Sequence, residues 1–312
     1  MQLSRSFEDL YPDLTGEQAF NLYEDIRARL PEAHFSASPV TTGSLMDVAG
    51  SIDAFVFDAF GVLNVGEATI EGAVQRVTDL RALGRRIFVL TNAASHSRAE
   101  TYAKFNKLGF DFSEDEIVSS RNAAEKALAS FPPETVWGVA ATSSFDASEI
   151  LHNVRKLNDD PADYDAVSAF LLLSVQDWSP ERQSLLEASL RQNPRPVIVA
   201  NPDIVAPRGE TFSTEPGYFG HRLVSRLGAD VQFHGKPFPS VFDIIEERLE
   251  KSEIAPARIC MVGDTLHTDV LGGAARGWRT VLVTDHGLFK GLDPDFYIRK
   301  SGIRPDWMVG SI

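Results

Sequence analysis

At 312 residues the chain exceeds what one ordinary hydrophobic core holds, so a large domain carrying an insert, or two domains, is expected. Hydrophobic residues make up 43% and charged residues 24%, as in globular proteins, and a formal net charge of −14 repels phosphate backbones and anionic lipid, which argues against nucleic acid and membrane partners. The single cysteine, Cys260, has no mate for an internal disulfide, and no apolar stretch has the length of a signal peptide or a bilayer span, so a cytoplasmic protein is expected.

In chain order, residues 1–50 contain one amphipathic stretch, Ala19, Leu22, Tyr23, Ile26 and Leu30, whose spacing predicts an N-terminal helical extension. The run AFVF before Asp58 is continuous rather than alternating, the pattern of a strand buried on both faces of a parallel sheet. The same pattern recurs as IFVL before Thr91, VIVA before Asn201, ICMV before Gly263 and TVLV before Thr284. Between the runs lie helical stripes: Ala73, Val77, Leu80 and Leu83, stopping at Gly84, and later Val241, Ile244, Ile245 and Leu249. Strand and helix in alternation predict an α/β fold with a doubly wound parallel sheet, in which Asp58, Thr91 and Asp264 would emerge together at the carboxyl ends of the strands. The chain before Lys236 has room for a second α/β module, with strands at 136–141, 170–173 and 197–200. The expected domains are a core of residues 51–121 and 231–312 and an insert of residues 122–230.

No GxxxxGK[ST] or GxGxxG string follows a strand, which argues against a P-loop and against dinucleotide binding. Four other strings occur in order: VFDAFGVL, LTNAAS, HGKPFPSVF and MVGDTLHTDVLGGAARG. Together they resemble the haloacid dehalogenase superfamily over roughly residues 52–312, and within it the class IIA branch that includes nucleotide and 4-nitrophenyl phosphatases. The resemblance implies a phosphoric monoester hydrolase acting on a small phosphorylated metabolite. Asp58 would be the nucleophile and would form an aspartyl-phosphate, which splits one difficult displacement into two easier ones. A carboxylate approaching a phosphate dianion needs cations already in place. The matching positions are Lys236, beside Pro237, and a magnesium site made of Asp58, the backbone carbonyl of Phe60, Asp264 and Asp269. Gly61, Thr91 and the Asn92 amide would cradle phosphate oxygens. The insert would be a substrate-selecting cap, with Asn201 and Asp203 touching substrate, Trp178 offering a ring to stack on, and the cap and N-terminal extension as surfaces for a homodimer.

One position departs from the family pattern. Two residues after the nucleophile, where these phosphatases carry an aspartate that protonates the leaving group, stands Phe60. A general acid-base group is worth about 10²- to 10⁴-fold in rate. Its loss leaves three readings: a phosphatase for substrates with good leaving groups or another proton donor, a hydrolytic dehalogenase, which also has an aromatic residue here, or a weakened catalyst kept for binding phosphate ligands. The acids Asp264 and Asp269 favour the phosphatase, since dehalogenases work without magnesium.

Overall fold

A computed structural model of the protein describes residue 7 and residues 14–35, 38–208 and 211–312. The apolar runs become strands of two parallel sheets, each in its own unit. One unit contains residues 27–91, 98–119 and 236–312. The other contains the described residues up to 26 together with 92–97 and 120–235.

The first unit holds a seven-stranded sheet in the order Val40–Thr41, Trp307–Val309, Arg279–Val283, Ile259–Gly263, Ala54–Phe57, Arg86–Thr91 and Ile117–Ser119. Every pairing in it is parallel. The inner strand Ala54–Phe57 is wholly buried, which explains its unbroken apolar sequence. Phe55 and Phe57 pack on one face with Ile87, Val89, Cys260, Val262, Val281 and Val283. Truncating such an aromatic to alanine costs about 3–5 kcal/mol. On the helix Ala73–Ala82 the residues Ala73, Val77 and Leu80 are buried as expected. Leu83 is not: it caps the helix where the chain turns through Gly84 (φ 74°), and its side chain is 48% exposed.

The second unit is built on a five-stranded parallel sheet in the order Val231–Phe233, Val197–Val199, Ala169–Leu172, Trp137–Ala140 and Val154–Lys156. The run before Asn201 therefore belongs with the insert strands and not with the other four. The N-terminal stretch is not a separate region of 50 residues. Its helix, Gly16–Asp25, lies in the insert unit with Ala19, Phe20, Leu22 and Tyr23 buried, whereas residues 27–50 belong to the core unit. A helix with so continuous an apolar stripe must cover it with something, and sequence alone does not say with what. Among the described residues no helix is long and apolar enough to cross a membrane.

Candidate active site

Register brings the candidate acids of the core unit to one edge of its sheet. Phe57 is aligned with Val262 on one neighbouring strand and with Val89 on the other, and the Asp58 N–H donates to the Val262 carbonyl at 2.8 Å. Asp58 and Asp264 therefore leave adjacent strands side by side. After Gly263 the chain enters a wide helical turn, Leu266–Val270, which swings Asp269 back toward the same point. Carboxylate oxygens of Asp58, Asp264 and Asp269 all lie within 4.8 Å of one another. Lys236, at the turn that leads into the helix Pro239–Leu249, sets its ammonium 2.5 Å from Asp58 Oδ1 and 2.7 Å from Asp269 Oδ1. The second contact is an ion pair without hydrogen-bond alignment. All four side chains are buried.

Such crowding needs backbone without side chains around it. A Cβ on Gly263 would lie 2.0 Å from Asp269 Cγ, and one on Gly287 would lie 1.7 Å from Asp264 Oδ2. The acids are then fixed by neighbouring donors. Asp264 accepts from the Leu288 N–H at 3.0 Å and the Thr265 hydroxyl at 3.0 Å, and Asp269 accepts from the Thr265 N–H at 3.1 Å. Gly287 and Leu288 lie outside the four motifs, and Thr265 lies within the fourth without having been singled out as part of the site.

Three carboxylates face one ammonium, so negative charge is left over in a place with little water. Burial pushes the Asp58 carboxyl up to about 6 and the Asp269 charge adds to this, while Lys236 pulls it down. Asp264 is pushed well above the ordinary carboxylate range by burial and then by the charges of Asp58 and Asp269. The donor set, hard oxygens with uncompensated charge, fits a divalent cation such as magnesium. Phe60 lies in the turn after Asp58 and bridges to Asn64; the bridge uses the Gly61 N–H (2.9 Å to the Asn64 carbonyl) and the Ala59 carbonyl (3.0 Å from the Asn64 N–H). Gly61 does turn the chain (φ 77°), but its amide is spent on Asn64 and not on phosphate oxygens.

Thr91 is buried at the carboxyl end of the strand beside Asp58's. Asn92 belongs to the other unit, where its amide donates to Asp203 Oδ1 at 2.8 Å and accepts from the Ser120 hydroxyl at 2.8 Å. Asn201 Oδ1 accepts from the Asp203 N–H at 3.0 Å, and Asn201 Nδ2 donates to Glu215 at 3.2 Å. Asn92, Asn201 and Asp203 thus form one polar cluster within the insert unit. Trp178 is no stacking platform, because it is buried and its indole N–H donates to Gln183 at 2.9 Å. A separate cleft of about 220 Å³ lined by Arg279 and Asp306 opens at the opposite, amino ends of the core strands and holds none of these residues.

Two family models match the chain: haloacid dehalogenase-like hydrolase over residues 55–153, and HAD-hydrolase-like over residues 233–309. Between them they take in the strands of Asp58, Thr91 and Asp264 and the turn of Lys236. The chain belongs to the haloacid dehalogenase-like hydrolases. Its relatives include the chloroplastic phosphoglycolate phosphatase 1A of Arabidopsis thaliana, 28% identical over 279 residues, covering 80% of this chain and 75% of that protein. The glycerol-3-phosphate phosphatase of Gallus gallus is 28% identical over 287 residues, covering 85% and 91%. Among solved structures, a possible sugar phosphatase of the same superfamily from Cytophaga hutchinsonii superimposes with a TM-score of 0.79 at 26% identity, over 88% of this chain and 98% of that one. As a haloacid dehalogenase-like hydrolase the protein is an enzyme, and its α/β fold with parallel sheets is that of the superfamily.

Proposed function

We propose that this hydrolase is a phosphatase for small phosphorylated metabolites, with Asp58 as nucleophile. The observation that carries the reading is the buried Asp58–Lys236 pair at 2.5 Å, set beside Asp264 and Asp269. In the first step an Asp58 carboxylate oxygen attacks phosphorus, the bond from phosphorus to the organic oxygen breaks, and an aspartyl-phosphate forms. Lys236, held between Asp58 and Asp269, sets a positive charge beside the attacking oxygen and offsets the repulsion between two anions. In the second step water attacks phosphorus, the bond to Asp58 breaks, and inorganic phosphate leaves the regenerated carboxylate. Phe60 has no proton to give, so the departing oxygen takes its proton from solvent, and esters with good leaving groups react fastest. The names of the relatives, phosphatases of phosphoglycolate and of glycerol 3-phosphate, point to a short acid or polyol ester as substrate.

Asp58, Asp264, Asp269 and the Phe60 carbonyl would hold a magnesium ion. When bound, the ion supplies positive charge against that of the phosphoryl group and the acids. Asn201 and Asp203 are the proposed contacts for the organic part of the ester. Thr91 is the proposed partner of phosphate oxygens.

The experiment is hydrolysis of 4-nitrophenyl phosphate with magnesium and with EDTA, for the parent and for Asp58→Asn. We expect release of nitrophenol that stops in EDTA and falls at least about 10⁴-fold in the variant. Equal rates in the folded variant would remove Asp58 from the mechanism, and undiminished rates in EDTA would remove the cation.

A further inference from the structure

The insert's polar cluster sits on the turn 201–204, and that turn is held from a distant part of the chain. The Tyr23 hydroxyl, on the N-terminal helix Gly16–Asp25, accepts a hydrogen bond from the Ile204 N–H at 3.1 Å across 181 residues of sequence. Both partners are buried. The helix is itself a firm support. Its start is closed by a reciprocal cap between Thr15 and Gln18, with the Gln18 N–H on Thr15 Oγ1 at 3.2 Å and the Thr15 N–H on Gln18 Oε1 at 2.8 Å. Tyr23 shares its buried face with Ala19, Phe20 and Leu22.

The rest of the turn is gripped from within the same unit. Asn92 and Glu215 hold the side chains of Asp203 and Asn201, and the Ser213 hydroxyl steadies Glu215 at 2.8 Å. Gly217 presses its backbone so closely on the turn that a Cβ there would lie 2.0 Å from the Pro202 carbonyl oxygen. Gly217 belongs to the helix Pro216–Leu227, which the N-terminal segment also holds: Arg222 donates to the Phe7 carbonyl, and the Phe7 ring lies 5.1 Å from that of Tyr218. Removing the Tyr23 hydroxyl leaves a buried N–H without this acceptor, and the loosening reaches Asp203 and Asn201, one and three residues before it.

We infer that the N-terminal helix is part of the specificity apparatus, with Tyr23 a positioning residue that aims Asn201 and Asp203 at the organic part of the substrate. The inference rests on the proposed assignment of those two residues as substrate contacts. A phenylalanine at position 23 keeps the ring and its packing while loosening the turn, so selectivity should change more than folding does.

The test compares kcat and KM for glycerol 3-phosphate and for 4-nitrophenyl phosphate in the parent, Tyr23→Phe and Asp203→Ala, with a melting curve for each. The expected result is a fall in the ratio of kcat/KM, glycerol 3-phosphate over 4-nitrophenyl phosphate, of about three- to tenfold in Tyr23→Phe, carried by KM, and a larger fall in Asp203→Ala. A ratio equal to the parent's in Tyr23→Phe alongside a lowered ratio in Asp203→Ala overturns the role of the helix. An unaltered ratio in Asp203→Ala overturns the turn as a substrate contact and the inference with it. An equal loss on both substrates with a lowered melting temperature assigns Tyr23 to folding alone, which also overturns it.

Discussion

Each unit of this hydrolase buries a cluster of charge, and the two are built in opposite senses. In the core, Asp58, Asp264 and Asp269 surround the single ammonium of Lys236. In the insert, one carboxylate, Glu187, is surrounded by Arg222 at 2.6 Å, Arg191 at 3.1 Å and Arg226 at 3.6 Å, with the Gln183 amide donating at 3.1 Å. Burial works against both carboxylates. At Glu187 the guanidiniums overcome it and hold the carboxyl below its ordinary value; at Asp58 the one lysine does not, and the carboxyl is pushed up to about 6. The insert cluster is complete and ties the helices Pro180–Gln192 and Pro216–Leu227 together. The core cluster is short of positive charge, which is what a site for a cation and an incoming phosphate requires.

The largest effect that would break this contrast is on activity. Replacing Lys236 by alanine takes the ammonium from the acid cluster, and turnover of 4-nitrophenyl phosphate should drop about 10²- to 10³-fold. A drop below tenfold in steady-state assays would mean that Lys236 serves folding. In the insert the corresponding change, Glu187→Gln, should cost about 3 kcal/mol of stability in denaturant unfolding, because it leaves the buried Arg222 guanidinium uncompensated. It should leave the rate on 4-nitrophenyl phosphate near the parent's. A large fall in that rate with intact stability would erase the distinction between the two clusters.

Phe60→Asp adds a proton donor and a further acid next to the core cluster. Hydrolysis of glycerol 3-phosphate should rise at least about tenfold, while that of 4-nitrophenyl phosphate, whose leaving group departs without a proton, changes little. A folded variant with no gain on the alkyl ester would contradict the account of position 60. The smallest effects concern stability. In EDTA, Asp264→Asn relieves repulsion among the acids and should raise the melting temperature by about 3 °C, and magnesium should then stabilise the variant less than the parent. A carboxyl raised in the folded state favours the protonated protein, so its stabilising contribution is in place below the unfolded value of 3.8 and is lost as pH climbs through about 6. Melting curves of Asp58→Asn and the parent in EDTA should therefore diverge from about pH 4 to about pH 7, with the variant the more stable. Divergence in the opposite direction would show Lys236 to be the dominant neighbour.

The core was legible because its signals are local. An apolar run ending in an acid, as in AFVF before Asp58, states both a buried strand and what stands at its end. The resemblance of the ordered motifs to the superfamily likewise points to Asp264, Asp269 and Lys236, which the fold draws together. The failures share a cause. The resemblance places the Gly61 amide and the Asn92 side chain on phosphate oxygens, but the hydrogen bonds they make run to Asn64, Asp203 and Ser120, and sequence spacing does not reveal those neighbours. Leu83 continued a helical stripe on paper and lost its burial because the helix had already ended.

By itself the amino-acid order determined the parallel α/β architecture, the order of the motifs and the absence of a proton donor at position 60, since each depends on residues a few positions apart. Tertiary structure alone decided that helix Gly16–Asp25 joins the insert, that Gly287 and Leu288 complete the seat of Asp264, and that a tyrosine near the amino terminus holds the turn after Asp203. Those are pairings across long stretches of chain. Burial and hydrogen-bond satisfaction select them only once the whole molecule has closed.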